Sequence, residues 1–469
     1  MGIAERVRDK QNTNDMLRRA LERIIQLYTD KAHFIYELLQ NAEDAQATVI
    51  KFHQMDDRLE VYHDGIPFTE ENLHSLCDIG ASDKVGDLNQ IGEFGVGFKS
   101  VFGICDRVKL YSEPSNYKKQ HEVSPAFSVE IINFTEPKDI DAEHLSEPYT
   151  TKFVFSYCVG KSYSGFNTLD ELKNAIAKRL SNLGVNTMLF LRYLNSIEYE
   201  IESNTNIGSG CYMLSKEEIN PFCRLVTALG KTNGATEELS YLKYSRIISV
   251  NANDKRTVDI AYPVVIDKDG EFRFKKANNP YISVYFPTET ESKIPLIAQG
   301  PYRTTPNRSS IPFDNEENIH LARLTAELLY ESVLDIKSQG QMNLQLLNIL
   351  PLQKPDFFEN WLFKPLYDKM FELFKNEAIL PTADGGFIAS NYAKIARGQE
   401  LINIFQGNLL GELINDDDTV DGELCNSYVP YKWLPGQVTR DNKEFSALFS
   451  FLTNEMEIEV IRPDDLRYH

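Results

Sequence analysis

Gly92, Gly95 and Gly97 stand just ahead of Phe98-Lys99-Ser100 and the apolar run Val101 to Ile104. Glycines let a backbone approach oxygen atoms closely, and the free N–H groups and positive end of the helix that follows attract an anion. The chemistry this suggests is phosphate binding. Lys99 adds a basic side chain whose direction the sequence does not give. The run is no Walker A loop: Phe98 occupies the place of the lysine in GxxxxGK[ST], and a polar loop precedes it where a buried strand is required. Upstream, Glu37, Asn41 and Asp44 are four and three residues apart, which puts them on one helix face. Three polar groups converging beside Phe34, Ile35, Leu38 and Leu39 are an odd way to coat a helix, although a plain amphipathic surface helix has the same spacing. Asp64-Gly65 directly follows a strand-like run and reads equally as a turn.

The elements that must position these residues are legible from periodicity. Helical spacing is expected from about Asn14 to Tyr28 and from Lys31 to Ala45. Strands are expected over Thr48–His53 and Leu59–Tyr62, with a turn at Asp56-Asp57, and over Thr151–Tyr157. Asp78 to Gln90 reads as a polar loop, and Leu169 to Leu183 as a helix. From Thr187 the texture changes to short β-rich runs: Met188–Tyr193, Ser196–Ile201, Ser245–Val250, Val258–Ile266 and Tyr281–Phe286. A helix over Asn318–Ile336 follows, then Pro-punctuated helices, a hairpin-like Ile379–Ile388 and the acidic loop Asp416-Asp417-Asp418. The expected units are 1–187, 188–337 and 338–469, the last ending without a closing core element, as a piece of a longer protein would. The order of elements predicts an α+β fold: helices on one face of a mixed, mostly antiparallel sheet, then a smaller α/β domain and a mixed C-terminal region.

Taken in order, Glu37-Leu38-Leu39-Gln40-Asn41-Ala42-Glu43-Asp44, Asp64-Gly65-Ile66-Pro67, Gly92 to Ser100, and Thr151 resemble the N-box, the two glycine boxes and the adenine-pocket threonine of the GHKL (Bergerat-fold) ATPases. That superfamily includes DNA gyrase, heat-shock chaperones, histidine kinases and MutL. Gly80-Ala81-Ser82-Asp83-Lys84 and Gly95 to Phe102 are most similar to sacsin and its relatives, with the MORC ATPases near. Gln299 to Arg308 resembles the segment that follows the sacsin-type ATPase unit. Two positions depart: Pro67 replaces a glycine, and Thr150 stands where a glycine often precedes the threonine.

The resemblance implies an α/β sandwich with a transducer-like second domain, ATP/ADP and Mg²⁺ as ligands, and a homodimer on ATP binding. Asp64, beside Gly65, would accept the adenine amino group, with Thr151 acting through an ordered water. Asn41 would ligate Mg²⁺, Glu37 would activate the attacking water, and Asp44 would support the adenine end. Gly92, Gly95, Val96, Gly97 and Phe98 would offer backbone N–H groups to the phosphates, beside Lys99. Ser82 and Lys84 would lie in a lid. Arg308, with Arg303 as substitute, would reach the γ-phosphate. His33 tempts as a kinase phospho-acceptor, but Glu37 argues for hydrolysis. Prokaryotic sacsin-like modules occur beside defence nucleases, so an immune-sensor role follows by association.

Bulk properties narrow the field. Lys and Arg number 49 against 69 Asp and Glu, a net charge of −20, which disfavours nucleic acid as the default partner. Cys77, Cys105, Cys158, Cys211, Cys223 and Cys425 have no CxxC spacing, so neither a zinc site nor a disulfide framework is expected. The N-terminus carries no leader pattern and no run has the length of a membrane span; a cytoplasmic protein is expected. The leading expectation is an ATP-driven conformational machine, chaperone-like or regulatory. A non-hydrolysing nucleotide-gated module and a DNA-handling ATPase of the MutL/MORC type are the alternatives.

Overall fold

A computed structural model describes residues 32–77, 97–118, 125–132, 135–160, 166–202, 208–251, 254–278, 280–305, 310–353, 361–406, 409–410 and 431–465. The expected helix over 14–28, the loop over 78–90 and the acidic triplet at 416–418 lie outside them.

The first described helix, α1 (Phe34–Asp44), buries Phe34, Ile35, Leu38, Leu39 and Ala42. It ends in a paired closure: Gln46 N–H donates to Glu43 O and Ala47 N–H to Ala42 O, both at 2.9 Å, with Gln46 in the left-handed region at φ 56°. The chain then forms the hairpin β1 (Val49–Gln54) and β2 (Arg58–His63). Next come α2 (Glu70–Cys77), a 3₁₀ helix (Gly97–Gly103), β3 (Cys105–Ser112), β4 (Phe127–Ile132), β5 (Glu136–Asp139), β6 (Thr151–Tyr157) and α3 (Leu169–Ser181).

Strand β7 (Ser196–Ile201) pairs in parallel with β1, Val49 opposite Ser196. It also pairs antiparallel with β8 (Gly210–Asn220), and β9 (Cys223–Thr232), β10 (Ala235–Asn251) and β11 (Asp254–Ile266) follow as a meander. With β12 (Phe272–Phe274) attached to β11, and β13 (Tyr281–Val284), β14 (Phe286–Glu291) and β15 (Ile297–Gln299), the described strands form one 15-stranded, mostly antiparallel sheet. Its order is β14-β13-β15-β11-β10-β9-β8-β7-β1-β2-β6-β3-β4-β5. The expected α+β class with a mixed, mostly antiparallel sheet is what the chain adopts.

Period-2 alternation decides which face of this sheet is covered. Ile50, Phe52, Leu59, Val61, Val108, Leu110, Phe153 and Phe155 meet α1, the 3₁₀ helix and α3 in one core. The opposite face carries charge pairs, such as Lys51–Glu200 at 2.8 Å and Lys152–Glu143 at 2.7 Å. Farther along, both faces are covered. Tyr241 and Ala261 point into the first core. Leu242, Ile260 and Tyr262 join a second core with α4 (Glu316–Ser338), α5 (Leu344–Asn348) and α6 (Lys364–Asn376). Tyr36 of α1 reaches Phe286 of β14, ring centroids 5.6 Å apart.

Two expectations need correction. Met188–Tyr193 is no strand but a series of turns, with Leu189 N–H on Asn186 O and Leu191 N–H on Met188 O. Its residues are apolar because the turns are buried: Met188, Leu189, Phe190 and Leu191 are all in the first core. The C-terminal region does carry a core element near residue 461. After β16 and β17 (Leu380–Pro381 and Phe387–Ile388, the expected hairpin), β18 (Ala393–Ala396) pairs in parallel with β19 (Lys432–Trp433) and with β20 (Val460–Ile461), and Ile461 is buried. Among the described residues no helix is long and apolar enough to cross a membrane.

Candidate functional site

Burial of α1's apolar stripe leaves Glu37, Asn41 and Asp44 along one edge, Glu37 buried and the other two half-buried. His33, one turn before, brings Nε2 to 3.4 Å from Glu37 Oε1. Against the same carboxylate lies the start of the 3₁₀ helix. A Cβ added to Gly97 would fall 1.9 Å from Glu37 Oε2 and 2.6 Å from its Cδ, so any larger residue here would have to displace the Glu37 carboxylate. Two segments sixty residues apart in sequence thus meet at Glu37. Phe98, Val101 and Phe102 anchor the 3₁₀ helix in the core, and Ser100 Oγ donates to Gly97 O at 2.7 Å.

The end of α1 is hooked to the loop after β2. Ile66 N–H donates to Ala45 O at 2.6 Å, and a Cβ on Gly65 would sit 2.5 Å from that same oxygen. Asp64 is held from the start of β1: Oδ1 accepts from Thr48 N (2.7 Å) and Val49 N (2.9 Å), and Oδ2 from the Thr48 hydroxyl. A carboxylate has about four lone-pair sites, so three bonds leave Asp64 room for roughly one more donor. Antiparallel pairing sets His63 opposite Thr151. Thr151 Oγ1 is buried and has no hydrogen-bond partner among the described residues, the condition of a hydroxyl that awaits a water or ligand. Its neighbour Thr150 donates its hydroxyl to Gly65 O at 2.6 Å; the departure from glycine at this position therefore locks the Asp64-Gly65 loop. The buried His63 accepts from Gly65 N–H through Nδ1 at 3.2 Å, and burial pushes its pKa down to about 4.

Lys99 turns elsewhere. Its Nζ donates to Leu76 O at the end of α2 (2.6 Å) and lies 6.0 Å from the Phe102 ring. Arg303 is half exposed and pairs with Glu317, Nε to Oε2 2.6 Å. Ser82, Lys84, Gly92, Gly95, Val96 and Arg308 lie outside the described residues. Sequence reasoning gave no role to Glu43, Thr48, His63 or Thr150. A Glu beside Asp44 looks like ordinary helix polarity, and the other three gain their roles only through strand register.

Helices on one face of the first part of a mostly antiparallel sheet, with Glu37 of an N-box-like helix against Gly97 there, fit a module of the GHKL class. The comparisons narrow this. Residues 14–118 match the model of the sacsin domain. Protein NO VEIN of Arabidopsis thaliana is 25% identical over 324 residues, 66% of this chain and 11% of that protein. Sacsin of Homo sapiens is 33% identical over 110 residues, 20% of this chain and 2% of that protein. Chaperone protein HtpG of Aliarcobacter butzleri (strain RM4018) is 26% identical over 194 residues, 31% of this chain and 30% of that protein. Over these parts the chain is thus similar to sacsin-like and chaperone-like proteins, and it spans a small part of the length of these relatives.

Proposed function

We propose that the chain binds ATP with Mg²⁺ along the edge formed by α1, the 63–67 loop, the glycine loop and Thr151, and hydrolyses it to ADP and phosphate. The observation that carries this reading is the contact of Gly97 with the Glu37 carboxylate. It brings Gly97, the last glycine of the run expected to cradle phosphate, against a group able to take a proton. The buried, unpartnered hydroxyl of Thr151 and the remaining lone pair of Asp64 suit an adenine edge and its bridging water. Gly65 keeps Asp64 in place, and Asp44 supports that end of α1.

Glu37, Asp44 and Asp64 make the edge acidic, so a polyphosphate needs a cation beside it. Asn41 would hold Mg²⁺ through its amide oxygen, one protein ligand with the remainder from phosphates and water. Bound magnesium neutralises phosphate charge. In the reaction Glu37 accepts a proton from water as the water oxygen bonds to the γ-phosphorus. The bond from that phosphorus to the bridging oxygen breaks, and the electron pair leaves with ADP. Gly92, Gly95, Val96, Gly97 and Phe98 would direct N–H groups at the phosphates. Ser82 and Lys84 would act from a lid, and Arg308 or Arg303 at the γ-phosphate, where a forked guanidinium fits. Lys99 would contribute only by releasing Leu76 O. The relation to chaperones favours a conformational outcome: residues 1–187 as the nucleotide unit, 188–337 as transducer and 338–469 as an output region, with a homodimer on ATP binding and an intracellular protein client.

The test is Mg²⁺-dependent ATP hydrolysis by the wild type and Glu37→Ala, with ATP binding measured on both. Glu37→Ala should bind ATP and lose at least about 100-fold in kcat. Binding without turnover by the wild type would instead make this a nucleotide-gated module, and no binding at all would end the reading.

A further inference from the structure

The turns over 188–194 join α3 to β7, and they are gripped from two sides. From α1, the buried Glu43 carboxylate accepts the backbone N–H groups of Arg192 (2.6 Å), Tyr193 (3.2 Å to each oxygen) and Leu194 (2.9 Å). Three successive N–H groups on one anion form a nest of charge-assisted bonds. The next two, of Asn195 and Ser196, donate to Thr48 O at 2.9 and 3.1 Å; Thr48 is the residue that holds Asp64. From the other side, Lys216 of β8 donates to Leu191 O (2.9 Å) and Arg192 O (3.2 Å). Lys243 of β10 donates to Leu189 O (3.3 Å), with Asp259 at 3.6 Å.

The N–H groups of residues 192–194 thus belong to the nucleotide-side helix, and the carbonyls of Leu189, Leu191 and Arg192 to lysines of the adjoining meander. Lys216 is half-buried here. Burial, then Lys243, pull its pKa down to about 8; Glu43 opposes the fall and Arg224 adds to it. A neutral donor would satisfy two carbonyls with less desolvation.

We propose that Glu43 and Lys216 are positioning residues that couple the nucleotide edge of α1 to strands β8–β10, through the backbone of residues 191–194. The inference rests on the nucleotide reading of the site. A displacement of α1 on ATP binding moves the nest that Glu43 fills. The carbonyls on the reverse of that nest then carry the displacement to Lys216 and to the sheet that bounds the second core.

Hydrogen exchange on the full chain, with and without Mg²⁺ and ATP, tests this. In the wild type ATP should slow exchange in α1 and also in β8–β10. Glu43→Gln keeps an acceptor oxygen and the side-chain volume; Lys216→Met keeps the stem and removes the ammonium. Both should still bind ATP and protect α1, lose the protection of β8–β10, and turn over about 2- to 30-fold more slowly. Lys216→Arg should restore the transmitted protection. Should Glu43→Gln not fold, the Met and Arg variants at 216 carry the same comparison. A merely structural pair would lower the melting temperature yet leave ATP-dependent protection of β8–β10 intact, and that result overturns the coupling. So does a wild type that binds ATP with no change in β8–β10. A wild type that binds no ATP overturns both this proposal and the reading it rests on.

Discussion

At the scale of single residues, Thr150 and Thr151 separate structural from ligand chemistry. Thr150 uses its hydroxyl to hold Gly65; Thr151 keeps a buried hydroxyl without a partner among the described residues. Such a group costs about 1–3 kcal/mol in the ligand-free protein. Thr151→Val should therefore leave the urea midpoint unchanged or raise it, while weakening ATP binding about 5- to 30-fold. Lower stability with unchanged ATP affinity would make the hydroxyl structural. The sequence pointed to Thr151, Glu37 and Gly97 through residue type and order. It gave no hint of Glu43, because the three N–H groups that define its role come from about 150 residues away.

At the scale of elements, the site depends on how α1 ends and β2 turns. The left-handed Gln46 closes the helix, Ala45 O takes Ile66 N–H, and Gly65 fits against that oxygen. His63 completes the joint as a neutral acceptor. Its pKa of about 4 in the fold lies below the ordinary imidazole value of 6.5. Above pH 6.5 neither the folded nor the unfolded chain carries that proton, and the contribution is whole. As pH falls from 6.5 towards 4 the unfolded chain takes the proton first, so stability is lost, by up to roughly 3 kcal/mol. Urea unfolding at pH 7 and pH 4.5 should show a larger drop for the wild type than for His63→Asn. Equal drops would remove His63 from the acid response. Local patterning gave the strands and helices that frame this joint almost to the residue. It failed at Met188–Tyr193, since a fully buried turn and a buried strand are both simply apolar.

At the scale of the whole molecule, one sheet serves two cores. Tyr241 and Leu242 are neighbours on β10, yet Tyr241 points into the core beneath α1 and Leu242 into the core beneath α4. Unfolding one core strips a face from the other, so a single cooperative transition is expected. Leu242→Ala should cost about 2–5 kcal/mol and shift the whole transition, including the signal from α1. Two resolved calorimetric transitions, with only one moved, would show that the cores melt separately. The same continuity gives the Glu43–Lys216 path somewhere to lead.

Composition and motif order pointed to the class of this protein from the chain alone: acidic, α+β and similar to the GHKL proteins, with α1, β1, β2 and β6 where periodicity put them. These properties are local. They depend on residue type at a fixed spacing, which folding does not change. What needed the tertiary structure was every relation between distant segments: Gly97 against Glu37, Thr151 opposite His63, the turn of Lys99 towards α2, and the clasp of residues 191–194 between Glu43 and Lys216. Strand register and burial set those relations, and neither is written in any one stretch of sequence.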